Sequence, residues 1–186
     1  MRPHPARTPS IGVALLLAVL LAAPASAQER ANDEPRPSPN AVVSQTIGTT
    51  DVTVTYGRPA VRGREVFGDL VPYDAVWRTG ANEATTVTFS DDVMVEGEPL
   101  AAGTYSLFTI PGEDEWTVIF NRTANQWGAF RYDVTEDALR VTAEPVEIAP
   151  QEQFMIAFSD VMEDSATMHL HWDTVGVPVQ ISAAGM

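Results

Sequence analysis

The sequence predicts an all-β fold: a single antiparallel β-sandwich domain of about ten strands over residues 41–183. Three observations point there. Beyond residue 41 the apolar side chains recur at every second position, and turn residues return every eight to twelve positions. No stretch holds an i, i+3, i+4, i+7 stripe for three turns; residues 65–77 and 135–139 have room for a helical turn at most.

Taken in order, Val52, Val54 and Tyr56 point one way while Asp51, Thr53 and Thr55 point the other. Thr85, Val87 and Phe89 alternate with Thr86, Thr88 and Ser90. Val93 and Val95 lead into Glu96-Gly97-Glu98-Pro99, a turn whose glycine can take positive φ. Tyr105, Leu107 and Thr109, the turn Pro111-Gly112-Glu113-Asp114, and Trp116, Val118 and Phe120 together predict a hairpin over residues 103–121. Leu139, Val141 and Ala143 form a strand closed by Pro145, and Phe154, Ile156 and Phe158 the next, before an acidic turn. Met168, Leu170 and Trp172 face one side of a late strand, and Val177, Val179 and Ile181 one side of the last. Two packed sheets, each with one inward face, satisfy this pattern.

The first 40 residues belong to something else. Arg2 and Arg7, an apolar run of 13 residues from Ile11 to Ala23, and Pro24-Ala25-Ser26-Ala27 lay out a secretory signal peptide over residues 1–27, cleaved after Ala27. A bilayer span needs about 20 apolar residues, so no membrane span is expected once the signal is removed. Residues 28–40, with three prolines, abundant charge and no aliphatic side chain larger than Ala31, predict a short disordered Pro-rich tether. The expected location is exported, either periplasmic or extracellular.

Charge excludes some partners. The 11 basic residues are all arginine, against 25 acids, for a net charge of -14; losing Arg2 and Arg7 leaves 9 against 25, or -16. Nucleic acid is therefore no expected partner. The absence of cysteine removes disulfides, thiolate nucleophiles and Cys-ligated zinc. No Gly-rich phosphate motif is present, and no cofactor is expected.

Against this acidic background, four of the nine remaining arginines fall between positions 58 and 78, in RPAVRGR and the following WRTGANEAT. Guanidinium forks bind carboxylates and phosphates in a fixed bidentate geometry. Arg58, Arg62, Arg64 and Arg78 are thus candidates for an anion pocket, with Thr79 and Asn82 as hydrogen-bonding partners and Glu83 as an orienting group, acid or base. The opposing interpretation is that these arginines pair with surrounding acids and brace a long connection. Of the four tryptophans, Trp116 and Trp172 alternate with core residues. Trp77 and Trp127 lie in irregular polar stretches and are the candidate ligand contacts.

The string SQTIGTTDVTVTYGRPAVRGREVFGDLVPYDAVWRTGANEATTVTFSDDV, followed by GEPLAAGTYSLFTIPGEDEWTVIFN, Trp127-Gly128 and LRVTAEP from Leu139, resembles the bacterial exported domains grouped as domain-of-unknown-function family 2911. The resemblance covers residues 43–182. It implies an exported, β-rich single domain and no established activity, so it assigns no catalytic residue.

Catalytic and metal chemistry find little purchase. His169 and His171 share one strand face, a spacing that suits two metal ligands, but a third ligand is not evident, and no metal site is expected. There is no G-x-S-x-G and no histidine near the arginines. The resulting expectation is an exported, non-catalytic β-sandwich protein that binds a small polar or anionic ligand, or a partner surface, through the arginine-rich region. A glycan-directed hydrolase using Glu83 and a purely structural envelope protein stay open beside it.

Overall fold

The structure is a computed structural model that describes Met1, Arg30 and residues 34–185. Apart from Met1 and Arg30, the expected signal peptide and the first part of the tether lie outside the described residues.

Among the described residues ten strands form two wholly antiparallel sheets. The larger runs β1 (Asn40–Ile47), β2 (Thr50–Gly57), β3 (Thr85–Phe89), β6 (Gly103–Ile110), β7 (Trp116–Asn121) and β8 (Asp137–Ala143) in spatial order. The smaller runs β5 (Glu98–Leu100), β4 (Val93–Val95), β10 (Ser165–Ala183) and β9 (Val146–Ser159). One core joins their inner faces: Val52, Val54, Val87, Leu107, Val118 and Phe120 from the first meet Phe154, Ile156, Leu170, Trp172, Val179 and Ile181 from the second. The expected all-β double sheet is thus what the chain forms.

Three details differ from the sequence expectation. The two late strands are one, β10, in which Asp173 takes φ 54° and the pairing with β9 shifts register on either side of it. The apolar phase changes there from even positions (168, 170, 172) to odd (177, 179, 181), and a bulge accommodates that change while both halves keep facing the core. The residues after Gly97 do not all belong to a turn. Glu96 and Gly97, both at positive φ, are the two central residues of a tight hairpin, and β5 begins at once with Glu98 opposite Val95. Finally, β1 is an edge strand in which Ile47 alone is fully buried, and its polar alternation gives a weak signal.

Strands β6 and β7 are buried on both faces, because Ala84, Phe108 and Ile119 form a second small cluster on the outer face of the larger sheet with Val76, Ile110 and Tyr132 against it. The 27 residues between β2 and β3 cross one end of the sandwich and carry the candidate site. They are stitched down at several points. Val61 N–H donates to Glu152 O at 2.8 Å and Phe154 N–H to Pro59 O at 2.8 Å, which tie the connection to β9. Trp77 exchanges both backbone hydrogen bonds with Thr109 at 2.7 and 2.9 Å, which ties it to β6. Val66 and Val71 sink into the core between these points.

Candidate functional site

The loop that carries WRTGANEAT is bent by residues held in unusual conformations. Thr79 and Asn82 sit in the left-handed region at φ 50° and 65°, as does Arg62 at φ 52°. For a β-branched residue such as Thr79 this is costly, of order 1–3 kcal/mol, and persists only where surroundings over-determine it. They do. Buried Thr79 donates to Thr109 Oγ1 at 3.1 Å, and its carbonyl accepts from Thr85 Oγ1 at 2.6 Å. Glycine is required beside it: a Cβ on Gly57 would lie 2.3 Å from Ala81 O, so only a bare backbone lets the end of β2 pass under this loop.

Bent this way, the two arginine-bearing stretches enclose a cavity of about 340 Å³. Arg62, Arg64, Arg78 and Asn82 line it, and Trp77 and Trp172 supply aromatic surface. Trp77 is a core residue as much as a lining one. Its indole stacks on Trp172, its edge contacts run to Phe67, Trp116 and Phe154, and its Nε1–H donates to Gly80 O at 3.1 Å.

The other sequence candidates lie apart from this hollow. Arg58 is half-buried and fastens β2 to β9 through its Nε–H, which donates to Phe154 O at 2.9 Å. Thr79 braces the loop as described. Trp127 stands 55% exposed on the outer face, its backbone bridged to Glu83. Glu83 itself is 3% exposed, and its two oxygens accept from Arg36 Nη1 at 3.0 and 2.9 Å. Arg30 Nη1 lies 3.6 Å from the same carboxylate.

How the four clustered arginines are satisfied decides between pocket and brace. Among the described residues none of them forms an ion pair with a carboxylate. Arg58 donates to a backbone carbonyl; Arg64 folds back on its own loop, donating to Val61 O at 3.0 Å and Ala60 O at 2.6 Å; Arg62 donates to Pro37 O at 3.1 Å. Arg78 is different. Its Nε is buried without a partner, and burial, with no acid beside it, pushes its guanidinium below the ordinary arginine value. A second donor of the same lining is also unmatched: Trp172, 2% exposed, has a buried Nε1–H with no acceptor. Such a donor costs about 1–3 kcal/mol while it stays unmade.

Two contributions escaped the sequence reasoning. Trp172 is a core residue, as its alternation with Leu170 predicts, yet it also lines the cavity. Pro37 and Ser38, from the segment expected to be a tether, also line it. Elsewhere, an open hollow of about 420 Å³ lies between Glu96, Glu98 and Arg140 at the sheet edges, and its described lining holds no buried unmatched donor. His169 and His171 stand half-buried on the outer face of β10 with ring centres 5.1 Å apart, and His169 Nε2 is 2.7 Å from Ser159 Oγ. No group of three or more potential metal ligands exists among the described residues.

Compared with known proteins, residues 38–181 match the model of the family described as protein of unknown function (DUF2911). No curated protein and no solved structure matches the chain.

Proposed function

The chain belongs to the DUF2911 family, and from that premise we propose that it is an exported binding protein whose cavity at Arg78 takes a small anionic ligand. One observation carries the reading: a half-buried guanidinium on a cavity wall, with its Nε–H enclosed and unmatched and no described carboxylate paired to it. Donors without acceptors call for a ligand that brings acceptors. Trp172 Nε1–H adds a second such donor, and no described acid lines the cavity to compete for either.

The lining also describes the rest of the ligand. Trp77, Trp172, Leu70 and Val71 offer apolar and aromatic surface, which suits a flat or branched hydrocarbon body attached to a carboxylate or phosphate. Arg62 and Arg64 at the exposed rim give a positive approach to an otherwise acidic molecule. Binding rather than catalysis is supported by the same inventory, since the described lining includes neither histidine nor carboxylate, and Glu83 is closed over by Arg36.

The test is Arg78→Ala, read by melting temperature and by calorimetric titration with benzoate and with inorganic phosphate. An anion that binds the parent chain and not the variant, with the melt nearly unchanged, supports the site. A collapsed melt, with neither anion bound by the parent chain, overturns it in favour of a brace.

A further inference from the structure

Arg30 sits in a socket built of acceptors: its Nη2 donates to the carbonyls of Thr55 and Ala84 at 3.1 and 2.5 Å, and its Nη1 lies 3.6 Å from the Glu83 carboxylate. The described hydrogen bonds to the carboxylate itself come from Arg36 alone. The two described cations that balance this buried acid therefore both precede β1, and residues 40–185 supply none within ion-pair distance. A carboxylate buried at 3% exposure without a counter-charge is strongly unfavourable, so the folded domain is incomplete at this point without its N-terminal segment.

The segment is shaped for the role. Pro35, Pro37 and Pro39 are exposed, whereas Arg36, Ser38 and Asn40 between and after them are half-buried, an extended period of two with one face on the domain. Prolines restrict the chain before it docks and so reduce the entropy lost on docking. Residues 34–39 bring no large apolar side chain, and the described contacts that hold them are polar. Asn82 Nδ2 donates to Ser38 O at 3.1 Å, Arg62 Nη2 to Pro37 O at 3.1 Å, and Arg58 N–H to Pro39 O at 2.9 Å. Three candidate-site residues thus grip this strap, and Pro37 and Ser38 form one wall of the cavity.

We propose that Glu83 is a receptor for guanidinium groups and that Arg30 and residues 34–39 are its ligand in the same chain, a clasp that completes the cavity wall when shut and uncovers the cavity when open. Its existence does not depend on the anion reading, because it is measured with no anion present.

Trypsin reports it directly. The Arg36–Pro37 and Arg58–Pro59 bonds resist the enzyme, whereas Arg30–Ala31 is cleavable only when the Arg30 side chain leaves its socket. On the full chain, cleavage at Arg30 is expected to be at least about tenfold faster in Arg36→Ala and in Glu83→Gln than in the parent, with cleavage at the domain's other arginines unchanged. Acrylamide quenching of tryptophan emission should rise in both variants, since Trp77 and Trp172 line the cavity. If Glu83→Gln unfolds, cutting spreads through the domain, and Arg36→Ala, whose side chain lies at the surface end of the pair, decides alone. Equal Arg30 cleavage in parent and Arg36→Ala overturns the clasp. Faster cleavage with unchanged quenching overturns its role as a cavity wall.

Discussion

Trp77 and Trp172 stack with ring centres 5.6 Å apart and planes inclined by 18°, yet only one of the two indoles is satisfied: Trp77 Nε1–H has Gly80 O, and Trp172 Nε1–H has nothing. Both line the same cavity. The pair links the sandwich core to the candidate site, because the stack that fixes the rings also fixes where the free N–H can be used.

Trp172→Phe separates these two roles. Phenylalanine keeps an aromatic ring against Trp77 and discards a donor that the protein does not use, so the folding loss should come from volume alone, about 1–2 kcal/mol. Affinity for an anion should fall about tenfold, the worth of one hydrogen bond in an enclosed site. Parallel calorimetry and urea melts check this, and unchanged affinity would remove the indole from the site.

Gly57→Ala addresses the loop that presents Arg78. The added methyl would meet Ala81 O at 2.3 Å, backbone against backbone, with no flexible side chain to give way. A loss of at least about 2 kcal/mol is expected in urea unfolding, since the mechanism is overpacking at a close approach. A neutral result would mean that the 79–82 loop can move away from β2.

Much of the fold was legible because a two-residue period reports burial on one face. That period placed β2, β3, β6, β7 and the core face of β10. It failed where burial does not alternate. Phe108 and Ile119 are buried on the outer face by a covering loop, and in β1 Ile47 alone is fully buried. The site was half legible. An arginine island in an acidic chain singled out Arg62, Arg64 and Arg78, which do converge, because unpaired cations stand out by composition. Arg58 and Thr79 could not be told from them, as a brace and a ligand contact use the same residue types. The strap was illegible for a physical reason: prolines and charges without apolar side chains describe a free tether equally well, and only a buried acid distant in sequence, Glu83, gives them something to hold.

His171 sets a pH response. Burial, with the neighbouring His169 adding to it, holds His171 below its ordinary value of 6.5. The folded chain therefore binds fewer protons than the unfolded chain near and below that pH, and stability rises with pH through this window. Melting temperature should fall as pH drops from 7 to 5, and the fall should be shallower in His171→Asn. Identical slopes in the two proteins would show that His171 does not couple to folding.

The most direct test of an anion site at Arg78 is a thermal-shift panel of small carboxylates and phosphates, with the amide of each carboxylate as its uncharged control, run on the parent chain and on Arg78→Ala. At least one anion should raise the parent's melting temperature while its amide does not, and the variant should be left unmoved. A panel in which no anion shifts the parent, or in which parent and variant shift alike, would contradict the site.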